Sequence, residues 1–151
     1  MQIAILSFFH YFTPMFKKRE SIFEIEEGKF LAPKFDDKGL IPVTTTDHKS
    51  GEVLMHGYMN EDALKLTIEK KEACYWSRSR NTLWHKGKTS GFVQKVVDIR
   101  IDDDQDALWM TVDIGDGASC HVGYKSCFYR KVEFNNKKDI KLKFTEHKKV
   151  F

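Results

Sequence analysis

Between Asp102 and Cys127 the chain carries two kinds of side chain that hold metal ions. The run "DDDQD" supplies four carboxylates, Asp102, Asp103, Asp104 and Asp106. Along an extended strand side chains alternate faces, so Asp102, Asp104 and Asp106 share one face and Asp103 points the other way. Three carboxylates on one face repel one another unless a hard cation, Mg²⁺ or Ca²⁺, sits among them. A solvated acidic turn fits the same run equally well. Further on, "CHVGYKSC" holds Cys120 and Cys127. Their odd spacing would put them on opposite faces of an unbroken strand, but Gly123 permits a turn that brings both sulfurs to one point. Two thiolates and one further protein ligand would leave a fourth position open for water, the mark of a catalytic zinc site. The plainer alternative is a pair of buried, inert thiols. His121 could be a surface histidine, a zinc ligand or a proton carrier.

A second cluster, "YWSRSRNTLWHKGKTSG", contains Ser77, Arg78, Ser79, Arg80, His85, Lys86, Lys88, Thr89 and Ser90. Forked guanidinium donors, ammonium charges, small hydroxyls and a glycine-flanked loop are the groups that bind phosphate. The spacing of a P-loop is absent. A solvated basic hairpin is the competing reading. Cys74 reads as core packing, and Trp76 and Trp84 as structural rather than catalytic.

These groups must be positioned by short elements. Asn60 caps "EDALKLTIEKK", whose acids fall in the first turn and lysines in the last, with Ala63, Leu64, Thr67 and Ile68 on one face. This is the main helix. "FEIEEGKF", "GLIPVTTTDHKSGEVLMHGYM", "ACYWSRSR" and "FYRKVEF" read as strands and turns, and "KGKTSG" as a loop. "VQKVVDIRID" and "ALWMTVDIG" are two extended segments around a bend at Gln105. "IKLKF" alternates like an edge strand with its lysines outward. The expected fold is α+β, a mixed or antiparallel sheet with one main helix. The expected layout is an N-terminal extension over 1–20, a domain over 21–136 and a solvated lysine-rich tail over 137–151.

A chain of 151 residues with 41% hydrophobic residues is globular and of single-domain size. A formal charge of +3 is too weak to argue for nucleic acid by itself. Three cysteines without framework spacing argue against a disulfide scaffold and for a reducing compartment, hence a cytoplasmic location. "MQIAILSFFHYFTPMF" is too short and interrupted to span a bilayer and lacks the basic start of a signal peptide.

Taken together and in order, "LMHGYMNEDAL", "YWSRSR", "LWHKGKTSG", "DDDQDAL" and "ASCHVGYKSCFYR" resemble the phosphoribosyl-AMP cyclohydrolase family of histidine biosynthesis, over roughly 30–134. The resemblance implies the single-function form, a homodimer with metal sites at its interface. It implies hydrolysis of the adenine ring of phosphoribosyl-AMP between N1 and C6, with Zn²⁺ and Mg²⁺ as cofactors. It places Mg²⁺ on Asp102, Asp104 and Asp106, and Zn²⁺ on Cys120, Cys127 and a third position. That position is usually a cysteine and here is Asp103; a carboxylate also ligates zinc. His121 is the candidate for proton transfer. Ser77, Arg78, Arg80, His85, Lys86, Thr89 and Ser90 are the substrate-binding candidates. Lys88 and Phe92 depart from the Glu and Asn common in the family. Two rival readings are a zinc nucleotide deaminase, whose H-x-E…P-C-x-x-C signature is missing, and a basic zinc-stabilised RNA-binding module.

Overall fold

The computed structural model describes residues 14–134 and 140–151. A four-stranded mixed sheet forms its centre, in the order β2-β1-β6-β5. β1 (Ile41–Asp47) and β2 (Val53–Met59) are an antiparallel hairpin, as are β5 (Lys95–Ile101) and β6 (Leu108–Asp113), and the two hairpins join through a parallel β1–β6 pairing. Register sets the core. Val43 lies opposite Leu108 and Thr45 opposite Met110, while Ile99 and Ile101 lie opposite Met110 and Leu108. Ile41, Val43, Leu108, Met110 and Val112 are thereby buried on one face.

The main helix, α2 (Glu61–Lys70), covers that core with Ala63 and Leu64. Asn60 caps it by accepting from the Ala63 N–H at 2.8 Å, as its sequence signals predict. Thr67 fastens it to the next strand: its hydroxyl donates to Ala63 O and accepts from the Cys74 N–H at 3.0 Å. β3 (Cys74–Ser77) and β4 (Thr82–His85) form a second, two-stranded sheet, and β7 (Arg130–Val132) and β8 (Leu142–Phe144) a third. Cys74 is fully buried, as a packing residue should be. Among the described residues no helix is long and apolar enough to cross a membrane.

One element differs from expectation. "FEIEEGKF" is not a strand; it opens with a short helix, α1 (Ile22–Glu26). Its alternation of Phe23 and Ile25 misleads because neither is buried in a sheet, Phe23 being exposed. Ser21 decides the matter locally, its hydroxyl accepting from the Glu24 N–H at 3.2 Å as an N-cap.

The segment before β1 is stitched to the β5–β6 turn. Residues 1–13 of the expected extension lie outside the described residues. Of the rest, the Lys17 N–H donates to Leu31 O, and the Arg19 guanidinium donates to Ala32 O at 2.6 Å and Asp104 O at 2.8 Å. Residues 135–139, which span the end of the expected domain and the start of the expected tail, are likewise outside the described set; residues 140–151 are almost all exposed, with Leu142–Phe144 paired as β8 and the Val150 N–H bonded to Gly123 O.

Candidate active site

The acidic run forms a turn, not a continued strand. β5 ends at Ile101, and the Gln105 N–H closes the turn on Asp102 O at 3.2 Å. Gln105 adopts φ +59, which reverses the chain. Its buried side chain anchors the turn, accepting from the Ala32 N–H at 2.8 Å and donating to Ile25 O at 2.9 Å. Asp102 accepts from the backbone of Asp106 and Ala107, both at 2.9 Å. The expected grouping survives although strand alternation is not its cause. Ligand atoms of Asp102, Asp104 and Asp106 all lie within 4.8 Å of one another. Lys34 approaches Asp104 and Asp106 at 3.6 and 3.5 Å. Partial burial and the Asp104 and Asp102 carboxylates push the Asp106 carboxyl above its usual range, against Lys34. A cluster of oxygen donors with crowded negative charge fits a hard divalent cation such as Mg²⁺.

The cysteine turn lies after the other end of β6. The Gly123 N–H bonds back to Cys120 O at 3.0 Å, and Gly123 holds φ +105, a conformation open to glycine. Cys127 and Ser126 tie the loop to β2: the Cys127 N–H donates to Leu54 O and the Ser126 hydroxyl to Val53 O, each at 2.7 Å. The two thiols meet. Cys127 is exposed as a residue, yet burial of its sulfur, and Cys120 beside it, push its thiol up to about 11. The nearby Lys86 ammonium opposes that shift. Two soft donors at one point fit zinc. Asp103 does not join them: among the described residues, no group of three potential ligands includes either cysteine. The six residues of β6 separate the acidic turn from the cysteine loop, about 20 Å at ~3.3 Å per residue.

Ser119, next to Cys120, is the end of a buried polar chain. The Tyr75 hydroxyl bonds Thr45 Oγ1 at 2.8 Å and donates to Gln94 Oε1 at 2.7 Å; Gln94 Nε2 donates to Ser119 Oγ at 3.0 Å. Burial pushes the Tyr75 phenol far above its usual range, so it stays protonated. Gln94 carries no signal in the sequence that would single it out.

The basic cluster lines two cavities that share Arg80 and Trp84. One, of about 460 Å³, brings together His85, Lys86, Thr89, Ser90, Cys120 and His121. The other, of about 620 Å³, takes Ser77 and Arg78 with His56 and Tyr58. The Arg78 guanidinium stacks on the Tyr58 ring at 4.0 Å, and Arg80 Nε donates to Ser77 Oγ at 3.1 Å. Lys86 is buried, and burial holds its ammonium below the usual lysine range, opposed by the two cysteines. His85 Nε2 donates to the Glu72 carboxylate at 2.7 Å. Trp84 packs against Tyr75, as a core residue would, and its ring also lies 5.4 Å from the Lys86 ammonium and 5.7 Å from the Arg80 guanidinium. Reading it as structural alone misses that second role.

The cavity thus sets basic and hydroxyl side chains beside Cys120 and His121, and comparison with known proteins gives the chain a family. It places the chain among the enzymes: residues 55–129 match the phosphoribosyl-AMP cyclohydrolase family model. A phosphoribosyl-AMP cyclohydrolase of Rhodopseudomonas palustris (strain BisB18) is 57% identical over 110 residues, 73% of this chain and 75% of that protein. One from Brucella canis is 57% identical over 109 residues, covering 72% of this chain and 78% of the relative. The chain belongs to the phosphoribosyl-AMP cyclohydrolase family.

Proposed function

We infer that the chain hydrolyses phosphoribosyl-AMP, opening the adenine ring between N1 and C6, as a cytoplasmic homodimer in histidine biosynthesis. The observation that carries this reading is the cavity that Arg80, His85, Lys86, Thr89 and Ser90 share with Cys120 and His121. Phosphate-binding groups thus stand beside a metal-capable thiol and a proton carrier.

The substrate carries a phosphate at each end and a nucleobase between. The two cavities, meeting at Arg80 and Trp84, suit that shape. Lys86, Thr89 and Ser90 hold one phosphate, Ser77 and Arg78 the other, and Arg80 lies between. Arg78 is held for this by its stacking on Tyr58. Water adds at C6, the C6–N1 bond breaks, and N1 takes up a proton. His121, which lines this cavity, carries that proton. Zinc, when bound, supplies a Lewis acid that lowers the pKa of water toward neutrality, and Mg²⁺ supplies a positive charge for substrate oxygens.

Cys120 and Cys127 would hold the zinc, and Asp102, Asp104 and Asp106 the Mg²⁺. Asp103 completes the zinc set from a second subunit. The length of β6 between Asp103 and the cysteines supports this, since one chain alone leaves the soft site a ligand short. A two-fold axis then creates two equivalent composite sites.

The deciding assay follows the ultraviolet spectrum of phosphoribosyl-AMP with and without chelator, while measuring ammonia. The expected result is a chelator-sensitive spectral change without ammonia. Ammonia release would mean a deaminase, and no change with both metals supplied would overturn the reading.

A further inference from the structure

The lysine-rich segment after β8, although largely exposed, is tied to the protein, and Phe151 reaches the cavity. The Thr145 N–H donates to Tyr129 O at 2.9 Å and the Val150 N–H to Gly123 O at 2.7 Å. The Lys149 ammonium lies 5.7 Å over the Tyr124 ring. Gly123 is bare where the segment crosses it: a Cβ there would stand 2.6 Å from Phe151 O. Phe151 then stacks on Phe92, ring centroids 5.2 Å apart and planes 12° from parallel. Phe92 is pressed from another side as well, since a Cβ on Gly117 would meet its ring at 2.8 Å. The Phe92 N–H donates to Ser90 Oγ at 3.3 Å, which ties the stacked pair to the phosphate-binding loop. Both Phe92 and Phe151 line the cavity that holds Lys86, Ser90 and His121.

We propose that residues 149–151 are a strap forming one wall of the nucleotide cavity, in which Phe151, stacked on Phe92, holds the Ser90 loop in its ligand-binding position. This rests on the cyclohydrolase reading for the identity of the ligand, a phosphorylated adenine nucleotide. The strap lies outside the stretch matched by the family model, residues 55–129. An apolar ring at 92 makes sense once a second ring covers it, because the pair removes apolar surface from water while leaving the Phe92 N–H free to fix Ser90.

The strap acts on binding, so it separates KM from kcat. The variants are a chain ending at Lys148, Phe151→Ala, and Phe151→Tyr, which keeps the ring. Each is compared with the intact chain for phosphoribosyl-AMP kinetics, AMP affinity by calorimetry, zinc content and thermal stability. The first two should raise KM and the AMP dissociation constant about three- to tenfold, the worth of one stacked aromatic pair, with kcat and zinc content held. Phe151→Tyr should behave as the intact chain. Unchanged KM and AMP affinity in the shortened chain would overturn the strap. So would a fall in thermal stability and kcat with AMP affinity untouched, which would make the segment a structural brace only. Absence of turnover by the intact chain counts against the cyclohydrolase reading, and the AMP comparison still decides the strap.

Discussion

Gln94 donates through Nε2 to Ser119 Oγ at 3.0 Å while accepting the Tyr75 hydroxyl at 2.7 Å. One fully buried amide thereby connects the sheet, through Tyr75 and Thr45, to the residue preceding Cys120. Gln94→Leu leaves two buried hydroxyls without that partner and should cost about 1–3 kcal/mol of stability. It should also weaken zinc binding by loosening the cysteine loop. Denaturant unfolding and metal titration read the two effects separately. Lost stability at unchanged zinc affinity would confine Gln94 to packing.

Tyr75 gives the same network a pH dependence. Its folded pKa is raised, by burial first of all, above the unfolded value. Its contribution to stability is therefore complete below about 10 and is lost as pH rises beyond that, because the unfolded chain then releases the phenolic proton more readily. Melting temperatures measured between neutral and strongly alkaline pH should fall above that point. Tyr75→Phe should be less stable at neutral pH and should show a shallower alkaline decline. Parallel declines would remove Tyr75 as the cause.

The zinc set makes a test at Asp103. Asp103→Ala should lose zinc and activity, and Asp103→Cys should retain both. Full zinc content in Asp103→Ala would exclude the carboxylate as a ligand. Because the Cys127 thiol is pushed up to about 11 in the metal-free chain, zinc uptake must expel its proton, so affinity should rise with pH through the neutral range.

A composite site also predicts complementation. Asp103→Ala and Cys127→Ala, each inactive, should recover roughly a quarter of wild-type activity when unfolded and refolded together, since about half the dimers are mixed and each of those has one intact site. A mixture as inactive as its parents, despite verified subunit exchange, would place every zinc ligand on one chain.

Lys34 occupies the position a cation would contest, between Asp104 and Asp106. Lys34→Gln should lower the Mg²⁺ concentration needed for half-maximal activity by about two- to fivefold, the scale of an exposed ion pair. Asn at Asp102, Asp104 or Asp106 should raise it with zinc content unchanged. Zinc lost from these Asn variants would mean that the two metal sites are not separate.

What the sequence makes legible is local. Asn60, the acids after it and the apolar face define α2 without help from the rest of the chain, and Gly123 explains why two oddly spaced cysteines meet. The acidic cluster is found for a partly wrong reason: the bend expected at Gln105 is present, and that turn, not strand alternation, groups the carboxylates. α1 is misread because two apolar residues alternate while neither is buried. Trp84 and the strap escape notice for a different reason. Whether a tryptophan only packs or also lines a cavity, and where residues 149–151 dock, depends on partners far away in the chain, which one sequence does not reveal.

The parallel β1–β6 pairing bears on the order in which the protein can assemble. The β1–β2 and β5–β6 hairpins close over short loops, whereas Val43 meets Leu108 only after all the intervening chain has been made. Closing that long loop is the entropically expensive step and should set the folding rate. The acidic turn belongs to a local hairpin and can form before it. The cysteine loop, whose anchor is Leu54 of the other hairpin, comes together only with that docking. A nascent or destabilised chain would therefore present its acidic turn while its thiols are still apart and open to oxidation.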